Sequence, residues 1–582
     1  MKNLLFLLSI MLILFSYVSA QEKNPLLAKF NTPFGVPPFD SIKEEHYLPA
    51  FKEAMKLHQQ EIDAIVNNSK APTFKNTIEA LEYSGELLSQ VANVFYVLNA
   101  SMTSDKMQEI AKERGHEGKW IFTLQKPSMI PFLQYSDKRD FREKIFKAYI
   151  NRGDHKDELD NNENLVKLVN LRIKRANILG YKTHAHFILE PSMAKTPEKV
   201  YELLNKIWKP ALKRAKQEAV DLQAMIDQEE KEIILQPWDW WYYAEKVKKA
   251  KYDFDDEALK PYFKLENVMD GAFKVATKLY GIQFVERKDI LKYHPDVKVF
   301  EVKEANGEHI GILYTDYFPR ASKRGGAWMN GFRDEWKVGN KKISPIITNN
   351  GNFTKPTADQ PSLLNSDEVS TLFHEFGHAL HGLLANSTYS KLSGTNVAVD
   401  FVELPSQIME NWAFEPEVLK EYAVHYQTGE PMPQDLIDKM KKAEYFNQGF
   451  VTVEYLSAAF LDMDWHTLTK SQELEVYRFE NESMQHIALI PEIVVRYRSP
   501  YFRHVFSGGY SSGYYSYIWS EVLDSDAFEA FKEKGLFDQN TAQSFRKNIL
   551  EKGSTEDPMT LYVRFRGSQP SVTPLLKKRG LL

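Results

Sequence analysis

Apolar and polar positions alternate with different periods along the chain. From about residue 40 to 230 the apolar positions return every three or four residues, the period of amphipathic helices. Thr196 before Pro197 marks one helix start, because a hydroxyl caps free amides and proline suits a first turn. Val200, Leu203, Leu204, Ile207, Ala211 and Leu212 then fall on one face. Near residue 294 the period shortens to two around Val297, Val299 and Glu301, and Ile312 to Phe318 and Ile343 to Ile347 are β-branched or aromatic. These segments predict a small sheet set within a helical protein. After residue 366 the helical period resumes to the C-terminus. No repeat, low-complexity tract or Gly/Ser linker interrupts the pattern, which favours few, large domains.

The first twenty residues break from this pattern. Lys2 precedes an apolar run from Leu4 to Phe15, and Val18-Ser19-Ala20 offers small residues ahead of Gln21. That is the layout of a secretory signal peptide, and the run is shorter than a membrane anchor needs. Cleavage after Ala20 is expected, leaving a periplasmic or extracellular protein with no membrane anchor.

Composition narrows the chemistry. The 582 residues carry 74 Lys+Arg against 79 Asp+Glu, a net charge of −5, with 43% hydrophobic and 26% charged residues. These are the proportions of folded domains, and the acidic balance argues against a nucleic-acid partner. There is no cysteine. Thiolate nucleophiles and Cys-ligated metals are therefore excluded, and a metal would have to be held by histidines and carboxylates.

His374-Glu375-Phe376-Gly377-His378 has that chemistry. On a helix, histidines at i and i+4 share a face and can bind one zinc, and the adjacent glutamate can take a proton from water. By chance the pattern arises about once in 30 chains of this length, so its context matters. Ser366, Asp367 and Glu368 make a plausible cap and acidic first turn. Val369, Leu372, Phe373, Phe376, Leu380 and Leu383 form an apolar stripe, with His374, Glu375 and His378 about 140° to 240° away. The residue ten after His374 is Leu384, which excludes the metzincin pattern. A carboxylate from a later helix is the better third ligand. In the segment from Asp400, Glu403, Gln407 and Glu410 share a face if it is helical. Glu403 suits the ligand and the other two suit partners that orient a histidine, though spacing alone prefers Glu403 over Glu410 only weakly. Further on, His504 precedes a Gly/Tyr segment, Ser507 to Tyr517, whose hydroxyls can donate to a developing oxyanion or simply pack. Ser393-Gly394-Thr395-Asn396 reads equally as a substrate loop or a turn.

His374 to His381, Phe401-Val402-Glu403-Leu404-Pro405-Ser406-Gln407, Gly325-Gly326-Ala327-Trp328-Met329 and the Gly/Tyr segment together resemble the thimet oligopeptidase and dipeptidyl carboxypeptidase family of zinc metallopeptidases. Gln236-Pro237-Trp238-Asp239-Trp240, Ser393 to Asn396 and Arg496-Tyr497-Arg498-Ser499 are most similar to the bacterial dipeptidyl carboxypeptidase branch. The resemblance implies a mainly α, two-lobed fold with a deep central cleft and a small β-sheet near the zinc site. It implies one zinc on His374, His378 and Glu403, with Glu375 as general base. Tyr517 would stabilise the tetrahedral intermediate, and His504 and Tyr510 would contact substrate. It further implies a monomer that acts on short peptides and releases dipeptides from their C-termini. An endo-oligopeptidase, or a peptide-binding protein without turnover, is the alternative. On this basis residues 21–582 form one peptidase unit: a helical N-terminal lobe over about 21–150 and a catalytic region over about 151–582. The lobe reads as shortened, because the chain lacks several family helices between about Met107 and Lys119.

Overall fold

The computed structural model describes residues 24–101, 122, 124, 126–229, 232–320 and 322–582. The leader and the junction near Met107 to Lys119 lie outside the described residues. The chain divides into two compact units. One gathers the described part of residues 1–113 with that of 281–355 and 379–394, and the other comprises the described part of 114–280 with 356–378 and 395–582.

In the first unit, helices α1 (Tyr47–Val66) and α2 (Glu86–Ser101) accompany a five-stranded sheet. Its strands are β1 (Gln283–Glu286), β2 (Lys298–Lys303), β3 (His309–Asp316), β4 (Trp328–Arg333) and β7 (Ile346–Asn350), in the order β1-β2-β3-β7-β4. Only β3 and β7 pair in parallel. A separate hairpin, β5 (Trp336–Val338) and β6 (Lys341–Ile343), falls between β4 and β7. Val91, Val94 and Val97, at helical spacing on α2, pack with Val299, Ile312, Tyr314, Phe332 and Ile346. The alternating segments near 297 and 312 are therefore strands, as expected. The third splits, with Ile343 ending the hairpin and Ile346 starting the central β7.

The second unit is helical. Its longer helices include α3 (Asn162–Ile178), α4 (Pro197–Gln228), α6 (Leu404–Ala413), α7 (Gln448–His466) and α8 (Ser516–Lys534). The helix bearing His374, α5 (Ser366–Leu383), belongs to this unit through His378. Thr196 caps α4 as expected, its side chain accepting the Lys199 amide. Val200, Leu204, Ile207 and Ala211 are buried, and Leu203 and Leu212 pack at the margin of the same core. That core joins α4 to α7, where Trp208 meets Phe460 edge-on at 5.4 Å between ring centres. Among the described residues no helix is long and apolar enough to cross a membrane.

Candidate metal centre

Helix α5 starts on a reciprocal cap: Asn365 Oδ1 accepts the Glu368 amide at 2.8 Å, and Glu368 Oε2 accepts the Asn365 amide at 3.0 Å. The cap is thus Asn365, and Ser366 is the first helical residue. The expected stripe from Val369 to Leu383 is buried throughout. Gly377 lets α5 approach the start of α6, because a Cβ there would lie 2.2 Å from the Pro405 carbonyl oxygen and 2.6 Å from Ser406 Cα. That approach brings Glu403, the residue before α6, to the histidines. Ser406 Oγ donates to Glu403 Oε2 at 3.0 Å and fixes its rotamer.

The donor atoms of His374, His378 and Glu403 all lie within 4.8 Å of one another. Glu403 Oε2 is 3.3 Å from His374 Nε2 and 3.0 Å from His378 Nε2. Two donors about 2.0–2.1 Å from a tetrahedral zinc ion stand about 3.3 Å apart, so the trio fits such an ion. Glu410 Oε1 lies 2.7 Å from His374 Nδ1, which leaves Nε2 for the metal, and Ser370 Oγ donates to the other Glu410 oxygen at 2.9 Å. Spacing prefers Glu403 over Glu410 only weakly; the structure puts Glu403 among the converging donors and Glu410 behind His374, as a histidine-orienting partner.

Electrostatics agree with this placement. Burial alone would raise the Glu403 carboxyl, but the imidazoles of His378 and His374 hold it well below the usual range. Burial would likewise lower His374, but Glu403 and Glu410 hold it well above its ordinary value. Two carboxylates converging on the histidines give the cluster a negative field that a divalent cation would suit. Glu375 is buried, which pushes its carboxyl up against the pull of His374 and His378. Its Oε2 has no protein partner among the described residues.

Tyr510 OH donates to Glu403 Oε1 at 3.1 Å. The Tyr517 ring stacks on Tyr510, with ring centres 5.2 Å apart and planes 12° from parallel. Burial foremost, then Glu403, pushes the Tyr510 hydroxyl above the ordinary tyrosine value against the opposing pull of a hydrogen bond with Tyr517. Burial, then Tyr510 and Glu403, pushes Tyr517 up, so both remain donors. Gln407, expected to orient a histidine, instead donates to the Tyr517 carbonyl at 3.1 Å. His504 packs against Tyr497 and Tyr514, with ring centres 5.0 and 5.5 Å away. Together with Arg496, Glu410 and Tyr517 it lines a cavity of about 420 Å³. At the open end of the Gly/Tyr segment, a Cβ on Gly509 would meet nothing within 4 Å. The Ser393 hydroxyl donates to Glu335 Oε2 at 3.4 Å.

Two carboxylates carry roles that sequence reasoning missed. Asp400 accepts the Met193 and Ala194 amides at 2.8 and 2.9 Å and the Tyr515 hydroxyl at 2.7 Å. It thereby ties the chain just before Glu403 to the Gly/Tyr segment; the only sequence hint was its place three residues ahead of Glu403. Asp462, on α7, had no local signal at all.

Comparison with known proteins agrees with the geometry. Residues 132–581 match the model for Peptidase family M3. The chain is 36% identical over 677 residues to dipeptidyl carboxypeptidase of Escherichia coli, covering 96% of this chain and 99% of that one. It is also 36% identical over 513 residues to E. coli oligopeptidase A, covering 87% and 75% respectively. In the first alignment 96% of this chain is only about 559 residues, so roughly 118 of the 677 aligned positions have no counterpart here. A solved structure of PZ peptidase A shares the fold at a TM-score of 0.53 and 13% identity, covering 93% of this chain and 98% of that one. With His374, His378 and Glu403 converging as a metal site of this kind requires, the chain belongs to Peptidase family M3 and is a metallopeptidase.

Proposed function

We propose that this protein is an exported, monomeric, zinc-dependent peptidase that removes dipeptides from the C-termini of short peptides. One zinc per chain would be held by His374, His378 and Glu403, supplying Lewis acidity toward a water and the scissile carbonyl. Glu375, with one carboxylate oxygen unclaimed by protein donors, takes the proton from the attacking water and delivers it to the leaving amine. Tyr517 donates its hydroxyl to the substrate oxygen that gains charge as the carbonyl turns tetrahedral. Tyr510 steadies Glu403 and, with His504, contacts the peptide.

One observation carries the dipeptide reading. The match to dipeptidyl carboxypeptidase spans both chains almost end to end, whereas the equally identical oligopeptidase A match leaves a quarter of that protein uncovered. The cavity that holds Tyr517 also supports it. Arg496 lines that cavity, with Nη1 already donating to Glu454 at 2.9 Å, and supplies a cation for a free carboxylate. The test is mass spectrometry of products from one peptide offered as free acid and as amide. Successive loss of C-terminal dipeptides from the acid, with the amide cut at least about tenfold more slowly, is expected because unpaired charged donors are costly. Equal rates with internal cuts would favour an endo-oligopeptidase, the reading that the roughly 118 absent aligned positions keep in contention. No cleavage by zinc-loaded protein would leave a binding protein. Export is tested separately: the secreted protein should begin at Gln21.

A further inference from the structure

The segment carrying Tyr510 is outside regular helix until α8 begins at Ser516, so helical hydrogen bonds do not fix it. The hold comes from below. Asp462, fully buried on α7, accepts the Ser512 amide on Oδ1 and the Tyr514 amide on Oδ2, each at 2.9 Å. His466, one turn along, places Nδ1 2.8 Å from Asp462 Oδ1. Its Nε2 lies 2.8 Å from Arg172 Nη1, which also donates to the Val505 carbonyl at 2.8 Å. A neutral imidazole satisfies the whole chain, giving Nδ1–H to Asp462 and accepting from Arg172 on Nε2. Beside it, His184 Nε2 lies 3.0 Å from Ser511 Oγ.

The turn held in this way is strained. Ser512 has φ +54°, the left-handed region that a residue with a Cβ adopts at a cost. Its own hydroxyl has no partner among the described residues, so the side chain does not account for the conformation. The two amides on Asp462 do. This turn runs directly between the two phenols: Gly513 donates to the Tyr510 carbonyl at 2.9 Å, and Tyr517 follows four residues later.

We infer that Asp462, backed by His466 and Arg172, is a positioning residue for Tyr510 and Tyr517, holding the Ser512 turn that sets both phenols against the metal centre. Asp462 is neither one of the metal donors nor a residue lining the cavity; it acts through the backbone amides of Ser512 and Tyr514. The inference rests on the reading that Tyr517 donates to the reacting carbonyl. A purely structural carboxylate would lower stability without acting through that hydroxyl.

A double-mutant cycle on the zinc-loaded full chain tests it, with kcat and KM measured on a quenched peptide alongside zinc content and melting temperature. Asp462→Asn keeps one accepting oxygen but turns an amide NH2 toward the second backbone N–H. It should lower kcat by about tenfold or more, leave KM within about threefold and leave one zinc per chain. In the Tyr517→Phe background the same change should cost less than about threefold, because residues acting as a unit are not additive. Equal costs in both backgrounds, or an unchanged kcat in Asp462→Asn, would overturn the inference. Should Tyr517→Phe alone leave kcat unchanged, the catalytic role of Tyr517 falls, and the inference with it. If Asp462→Asn does not fold, His466→Gln, which leaves the carboxylate in place, is taken through the same cycle with a threefold fall in kcat as the criterion.

Discussion

At the metal centre the donor side chains are placed by helices: His374 and His378 lie one turn apart on α5, and Glu403 is the residue immediately before α6. At the tyrosine loop, Tyr510 precedes and Tyr517 follows a turn held from elsewhere in the chain: Asp462 on α7 accepts two of its amides, and Asp400, ahead of α6, accepts the Tyr515 hydroxyl. The first arrangement is set by the helical period and by one close contact at Gly377. The second depends on long-range buried polar groups, which are costly if left unpaired. The metal centre is thus built to hold a fixed set of atoms, while the placement of the loop is contingent on its supports.

Four perturbations sharpen or break this contrast. The largest is Glu375→Gln, which keeps the shape but cannot accept a proton. Turnover should fall by about 10²- to 10⁴-fold while zinc content, measured by atomic absorption, stays at one per chain. Retained turnover would remove Glu375 from the chemistry. Next is Tyr517→Phe, which deletes a hydroxyl and preserves the ring stack on Tyr510. A loss of about 10- to 100-fold in kcat is expected; an effect seen only in KM would make Tyr517 a binding contact.

Gly377→Ala addresses the metal side alone. The new Cβ would fall 2.2 Å from the Pro405 carbonyl oxygen, forcing α5 and α6 apart at a cost of about 1–3 kcal/mol. Zinc affinity, followed by competition with a chelator, should weaken by about tenfold, because each 1.4 kcal/mol of lost binding is worth that factor. Unchanged affinity would show that the close approach does not set the ligand geometry.

The smallest effect concerns the loop side and pH. Burial first, then the neighbouring His466, Arg172 and Arg175 side chains, pushes the His184 imidazole down to about 2. The unfolded chain binds a proton at this imidazole below about pH 6.5 and the folded chain does not, so stability is full above that pH and is lost as pH falls. At pH 5 the loss is about 2 kcal/mol. Melting temperature should therefore decline between pH 7.5 and pH 5, and His184→Gln should flatten the decline. A slope unchanged by the substitution would place the titrating group elsewhere.

The same contrast explains what could be read from the residues alone. The stripe from Val369 to Leu383 and the paired histidines follow from a 3.6-residue period, so helix and ligand face were both legible. The cap was misplaced by one residue because Asn365 and Ser366 both suit it; the capping box with Glu368 decides the matter, and only in three dimensions. Glu403 and Glu410 share a face, and what separates them is the approach at Gly377. β1 and β4 went unread because β1 is short and mostly exposed and β4 carries a glycine. Asp462 lies 50 and 52 residues from the two amides it holds, and Asp400 lies 115 from Tyr515. None of these distances leaves a periodic trace.

The open space at Gly509 gives the chain an optical handle. Nothing lies within 4 Å of where its side chain would begin, and its φ is not among the positive values. The whole sequence contains no cysteine. A single cysteine introduced there would be the sole thiol in the molecule, one residue from Tyr510. A fluorophore attached to it would sense the surroundings of the tyrosines as peptide enters, without any background label to subtract.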